Sequence, residues 1–210
     1  MSDCDGVLLP SGGFENLKSF QLARLIYDIT FRFTELYISA ESRTRDQMVQ
    51  AARSGVQNIA EGSVDAATST KLELNLYNVA RSSLIELRLD YEDFLRQNNV
   101  SVWNMDSPLR AEFIARRVNS KSQFKSFVEW AEKSYGESFQ NAPVKAVIVA
   151  NAALLLIDAA TFFLKRQIET KGRAFVKNGG FSERMCRKRR EQIAQDQNKM
   201  PGDSPTGNQR

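Results

Sequence analysis

Hydrophobic residues recur at helical spacing along the chain, and the first such stretch covers about residues 15–37. Its apolar positions alternate in steps of four and three, which is the pattern of a helix with one buried face. The stripe consists of Leu22, Ile26, Ile29, Phe33 and Leu36. Further apolar residues widen it, so we expect more than one neighbouring element to cover this helix.

A second helix is predicted over residues 44–62. Thr44 and Gln47 have the spacing of a capping box, and Gly62 is a candidate for the end of the helix. The inner face is made of Met48, Ala52, Gly55 and Ile59. Because two of these are very small, we expect another helix backbone to approach closely here.

A third helix is predicted over residues 70–97, where Thr70 and Glu73 again fit a capping box. Its apolar stripe is Leu76, Ala80, Leu84, Leu87, Tyr91 and Leu95. A fourth helix, about residues 141–169, is apolar almost all round, so we expect it to be the most buried element. No stretch shows the alternation typical of strands.

Between the third and fourth helices, residues 100–141 are predicted to form a helical insert. Two short helices, about residues 109–118 and 122–135, fit this stretch, and Ser107-Pro108 has the form of a helix start. The predicted fold class is therefore all-α: an up-down four-helix bundle with a helical insert between helices 3 and 4 and a basic C-terminal extension.

The predicted organisation has four parts. Residues 1–13 form a flexible lead-in, 14–170 the bundle, 171–191 a basic suffix segment, and 192–210 a disordered tail that is polar and contains Pro201 and Gly202. The acidic N-terminus does not have the form of a signal peptide. A membrane span over 146–164 is a weaker interpretation than a buried helix. We therefore expect a cytoplasmic protein with no membrane.

Composition restricts the chemistry. The chain has 210 residues, 42% of them hydrophobic and 26% charged, and it contains no histidine. That absence excludes Ser-His-Asp triads and histidine-ligated metal sites. We expect no cofactor, no metal and no enzymatic activity. The carboxylates Glu86, Asp90 and Asp93 share one side of a helix, where a solvated face is the better interpretation. Cys4 and Cys186 are expected to be reduced thiols.

The charge is unevenly distributed. Residues 1–164 carry a net charge of −3, whereas residues 165–191 contain ten basic and three acidic side chains, a net charge of +7. The predicted nucleic-acid-binding residues are Lys171, Arg173, Lys177, Arg184, Arg187, Lys188, Arg189 and Arg190. Such a segment can neutralise phosphates. It could also simply complement a helix dipole and keep the protein soluble.

Ser54, Asn58 and Glu61 fall at i, i+4 and i+7, on one side of the second helix. They could form a polar pocket or a row that contacts RNA. The preferred interpretation is structural, because no nucleophile or base accompanies them: a hydrogen-bonded stripe that fixes helix register or a subunit interface.

Several motifs resemble a known family, the four-helix bundle proteins, also described as 23S rRNA intervening-sequence proteins. They are Phe14-x-x-Leu17, Gln21-x-Ala23-x-x-Ile26-Tyr27, Ala80-Arg81-Ser82-Ser83-x-x-Glu86-Leu87 and, most specific in this half, Asn58-Ile59-Ala60-Glu61-Gly62. Near the C-terminus, Gly179-Gly180-Phe181-x-Glu183-Arg184-Met185 resembles the suffix domain found on some members. The resemblance covers most of residues 14–185. At position 55 this chain has Gly where the family usually carries Ile or a similar apolar residue.

The resemblance implies a four-helix bundle that often assembles into a ring-like homopentamer. The family also includes accessory proteins of diversity-generating retroelements, which bind nucleic acid and a reverse transcriptase. By the resemblance, a structural or interface role falls to Ser54, Asn58, Glu61, Gly62, Gly179, Gly180 and Phe181. The resulting expectation is an oligomeric accessory protein that binds RNA or DNA backbone, with RNA favoured. The alternative is a scaffold that binds a protein partner.

Overall fold

The computed structural model describes residues 13–135 and 142–199. Helices are the only regular secondary structure in these two ranges. They are α1 (Lys18–Tyr37), α2 (Arg43–Asp65), α3 (Thr70–Gln97), α4 (Pro108–Ala115), α5 (Lys121–Tyr135), α6 (Val144–Asn178) and α7 (Phe181–Lys199). A short 3-10 helix precedes α1. The prediction of an all-α protein is confirmed. The predicted lead-in lies almost wholly outside the described residues.

Four long helices make the principal contacts. Helix α1 packs against α2 and α6, and α3 packs against the same two helices. We call α1, α2, α3 and α6 the helical body. Leu22, Ile26, Ile29 and Phe33 of α1 are buried as predicted, whereas Leu36 at the end of the stripe is 52% exposed.

The start and end of α2 differ from the prediction. The helix is capped by Ser42, whose hydroxyl accepts the Thr44 N–H at 3.3 Å, so the Thr44 capping box was wrong. Gly62 does not end the helix, which continues to Asp65. A Cβ atom at Gly62 would lie 2.9 Å from Tyr77 Cε1. Gly62 therefore serves close packing of α2 on α3.

The bounds of α3 match the prediction, but its cap does not. Ser69, one residue earlier than expected, accepts the Leu72 N–H at 3.2 Å. Thr70 and Glu73 are consequently both inside the helix, and both are buried.

The predicted insert contains α4 and α5. Ser107 caps α4 and Pro108 is its first residue, as predicted. Helix α5 packs on the outside of α6, and Lys121 at its start forms an ion pair with Asp28 of α1 at 2.9 Å. The side-chain amide oxygen of Asn151 in α6 accepts the Trp103 N–H at 2.7 Å, which ties the segment before α4 to the body.

Helix α6 is longer than predicted, since it runs without a break to Asn178. One helical stretch of the described residues, beginning at Val144, is long and apolar enough to cross a membrane by length and composition; 61% of its most apolar window is buried. Packing against α1, α3 and α5 accounts for the apolar surface of α6.

The predicted disordered tail is wrong for residues 192–199, which belong to α7. Glutamine and alanine in this stretch favour helix, and the helix-breaking Pro201-Gly202 lies beyond it. Residues 200–210 of the predicted tail lie outside the described residues.

Candidate nucleic-acid interface

The eight basic residues singled out by the sequence lie on two consecutive helices. Lys171, Arg173 and Lys177 occupy the last turns of α6, and the other five occupy the first three turns of α7. The structure separates them by environment. Six are on the exposed surface, whereas Lys171 is half-buried and Arg184 is buried.

Lys171 is directed toward the interior of the helical body. Its Nζ lies 2.8 Å from Oε1 of Glu73, whose side chain is 1% exposed, while the Lys171 side chain is 39% exposed. A carboxylate shielded from water requires a compensating charge. Lys171 therefore stabilises the fold, and its predicted phosphate contact stays a prediction.

Polar residues from three helices surround this ion pair. The Ser19 hydroxyl of α1 donates to the Gln167 side-chain oxygen of α6 at 3.0 Å. Burial raises the pKa of Tyr77 in α3, and the neighbouring Glu73 carboxylate raises it further. Tyr77 is accordingly a neutral hydrogen-bonding group. We call Ser19, Glu73, Tyr77, Gln167 and Lys171 the polar layer.

The Gly179-Gly180 motif forms the joint between α6 and α7. Gly179 has φ 72° and ψ 173°, a conformation that side chains disfavour, and a Cβ atom there would collide with the Glu183 carboxylate. Glu183 Oε2 accepts the Gly180 N–H at 2.7 Å. Arg184 Nη1 donates to the Gly179 carbonyl at 3.1 Å. Arg184 thus helps to fix the joint, and its predicted phosphate contact stays a prediction.

The rest of α7 is in contact with solvent. Phe181 is half-buried at the joint, and every residue from 185 to 197 is exposed. Of the eight predicted basic residues, five form no ion pair within the described ranges: Arg173, Lys177, Arg187, Arg189 and Arg190. Lys188 is exposed beside them. The five charges without an ion pair are not used by the fold, so they are available to an anionic ligand.

The polar stripe of α2 lies partly against α3. The Ser54 and Ser83 hydroxyl oxygens are 2.9 Å apart, and Asn58 Nδ2 donates to the Ser54 carbonyl at 2.9 Å. Glu61 is exposed and does not join this group. The stripe therefore does not form a three-residue pocket. Ser54 and Asn58 form hydrogen bonds within the helical body.

Sequence reasoning missed Glu73 as the partner of Lys171. The available signal was spacing: Glu73, Tyr77 and Ala80 follow the core-facing period of α3, and Lys171 follows Leu164 by two helical turns. Two opposite charges that continue two apolar stripes are expected to meet inside the protein. The capping-box interpretation of Glu73 hid this signal.

A group of three or more His, Cys, Asp or Glu residues that could hold a metal ion is absent from the residues that the structure describes. The carboxylates Glu86, Asp90 and Asp93 lie along α3. Burial raises the pKa of Asp90, and the charges of Asp93 and Glu86 raise it further. Asp93 is itself paired with Arg96 at 2.8 Å, so these carboxylates belong to an ordinary charged surface.

Comparison with models of known families, with curated proteins and with solved structures finds no match to this chain. Function is therefore inferred from the geometry of α6 and α7.

Proposed function

We propose that this protein is a non-enzymatic, oligomeric accessory protein that binds nucleic-acid backbone through α7 and the exposed end of α6. The observation that carries the proposal is a helix whose residues 185–197 are all exposed and whose first half holds four consecutive cations, residues 187–190. Exposed cations favour polyanions, because each phosphate contact releases condensed counterions.

The experiment compares two triple variants of equal net charge. In the first, Arg187→Gln, Arg189→Gln and Arg190→Gln remove charge from α7. In the control, Arg24→Gln, Arg43→Gln and Arg53→Gln remove it from exposed positions on α1 and α2. Glutamine keeps helix propensity close to that of arginine. Binding of a fluorescent oligonucleotide to nuclease-treated, full-length protein is measured by anisotropy over a salt series.

We expect the α7 variant to bind the oligonucleotide more weakly than the wild type does. The slope of log affinity against log salt concentration should become shallower by about 0.7 to 0.9 for each phosphate that the variant no longer neutralises. The control variant should retain the wild-type slope. Equal reductions in both variants would show that only net charge matters. Wild-type binding by the α7 variant would contradict the proposal.

We further propose that α1, α2, α3 and α6 form an up-down four-helix bundle with α4 and α5 as its insert, and that the chain is related to the 23S rRNA intervening-sequence proteins. The closed set of contacts among the four helices and the helical insert support this. Membership would favour RNA as the ligand, a homopentamer and a cytoplasmic location without membrane attachment.

The proposed oligomer has support from apolar side chains on the surface. Phe31 and Leu36 of α1 are exposed although they continue its apolar arc. A second subunit could cover them. Size-exclusion chromatography with light scattering on nuclease-treated protein measures the assembly directly, and a monodisperse monomer at micromolar concentration would contradict it.

A protein-interaction scaffold is the second candidate, because α3 also has exposed apolar residues along its length. They are Leu72, Val79, Ile85 and Leu89. A scaffold would bind a protein partner there, and the basic helix would contact an acidic partner. Recovery of one defined protein after nuclease treatment, with no retained oligonucleotide binding, would favour this function.

A further inference from the structure

We propose that α7 enters the major groove of duplex DNA, a refinement that rests on the nucleic-acid binding proposed above. Arg187, Lys188, Arg189 and Arg190 are consecutive, and successive residues of an α-helix differ in direction by about 100°. Arg187 and Arg190, three residues apart, share one side of α7, while Lys188 and Arg189 extend to two other sides. A helix that lies on a flat anionic surface uses only one side. A helix in a groove has phosphates along both walls.

The dimensions of α7 fit that groove. An α-helix with its side chains is about 10–12 Å across, and the B-DNA major groove is about 12 Å wide. The major groove of A-form RNA is deep and narrow. The geometry thus favours duplex DNA over the RNA that the family resemblance favours.

Helix α7 also has the clearance that entry into a groove requires. Arg184 holds α7 to the backbone at the joint, and residues 185–197 are all exposed. The walls of a groove can therefore approach both sides of the helix.

The composition of α7 argues against single strands as the preferred ligand. Proteins that bind single strands combine basic grooves with aromatic rings on which bases stack. The only aromatic residue of α7 is Phe181, which is half-buried at the joint. The helix offers charge without a stacking platform.

The test moves one cation without changing composition or net charge. The variant Arg189→Ala, Ala194→Arg shifts a charge from one side of α7 to the side that Arg187 and Arg190 already occupy. The matched control, Arg190→Ala, Ala194→Arg, moves a charge by one helical turn along the same side. Alanine and arginine both favour helix, so α7 is kept in each variant.

Affinity is measured at 100 mM salt for three probes of one sequence: a 20-base-pair DNA duplex, the matching RNA duplex and one DNA strand. We expect the wild type to bind the DNA duplex at least fivefold more tightly than the RNA duplex. The Arg189→Ala, Ala194→Arg variant should bind the DNA duplex about eightfold more weakly, which is the affinity that one phosphate contact contributes at this salt concentration. The affinity of the control variant should fall less than about twofold.

The outcomes separate this inference from the function on which it rests. Absence of binding to all three probes would overturn the proposed function and the inference together. Equal affinity for the two duplexes, tighter binding of the single strand, or an unchanged affinity of the Arg189→Ala, Ala194→Arg variant would overturn groove entry alone.

Discussion

Lys171 holds its ammonium group 2.8 Å from the Glu73 carboxylate, which is almost completely shielded from water. Removing one member of a buried pair leaves an uncompensated charge, which costs more than the pair itself contributes. Because Lys171 remains partly exposed, solvent screens the interaction and the cost is smaller than for a fully buried pair.

We expect Lys171→Met to lower the free energy of unfolding by about 2 kcal/mol after allowance for this exposure. Glu73→Gln combined with Lys171→Met should recover most of that stability, because no charge then remains buried. The control is Lys165→Met on the same helix, whose pairing with Glu169 at 4.0 Å is exposed. Urea unfolding measures all three, and equal destabilisation by Lys165→Met and Lys171→Met would refute the structural role.

Gly55 sets the distance between α2 and α3. A Cβ atom there would lie 2.9 Å from Leu84 Cδ2 in the core. We expect Gly55→Ala to destabilise the protein by about 1–3 kcal/mol, since a packed core accommodates an added methyl group only by strain. Gly172→Ala is the matched control, because a Cβ atom at that position meets nothing within 4 Å. It should stabilise α6 by about 0.5–1 kcal/mol. Thermal unfolding of the two variants should shift in opposite directions.

These residues show what the sequence could and could not predict. The small residues on the inner face of α2 predicted a close helix approach, and the contact of Gly55 with Leu84 confirms it. Glycine can either end a helix or allow two helices to pack closely, and a single sequence does not distinguish these two roles. Gly62 was therefore assigned to a helix end. Lys171 was assigned to a ligand because its partner, Glu73, is distant in sequence.

At the scale of elements, the joint between α6 and α7 fixes the direction in which α7 leaves α6. Gly179 has positive φ, and Glu183 and Arg184 bond the backbone on either side of the break. The sequence singled out Gly179-Gly180 only through its resemblance to the suffix domain. It did not show that the two following charged residues close the joint, because their partners are backbone groups whose positions depend on the fold.

We expect Gly179→Ala to loosen the joint, because alanine is strained at this φ and its methyl group collides with Glu183. Amide hydrogen exchange should become faster at the start of α7, around residues 181–185, while the amides of α1 to α3 keep wild-type rates. Gly172→Ala, within α6 and before the joint, should leave the exchange of α7 unchanged. Faster exchange throughout the protein would instead show that the joint supports the whole fold.

The long helices were predictable from periodicity because each of them buries a continuous apolar stripe. Their ends were less predictable, since several caps come from residues one or two positions away from the expected ones, as with Ser42 and Ser69. The continuation of α6 to Asn178 was missed because its last turns are polar. A helix that extends past its neighbours needs no apolar stripe.

For the molecule as a whole, the fold separates charge. Residues 1–164 carry a net charge of −3, and the basic residues beyond them are concentrated on the end of α6 and on α7. Among the described residues before position 165, 17 basic and 17 acidic side chains balance. The excess positive charge therefore lies on the end of α6 and on α7, and it should orient a polyanion toward α7 during association.

The residues that carry charge in this protein predict that oligonucleotide binding is nearly independent of pH between 6.0 and 7.5. The chain contains no histidine, the side chain whose charge ordinarily changes in this interval. Asp90, whose pKa is raised by burial and by Asp93 and Glu86, lies about 25 Å along α3 from the Glu73 end of the body. We expect oligonucleotide affinity at constant ionic strength to change less than twofold across the interval. A larger change would place a titrating group at the interface, and a cation-only interface on α7 would then be wrong.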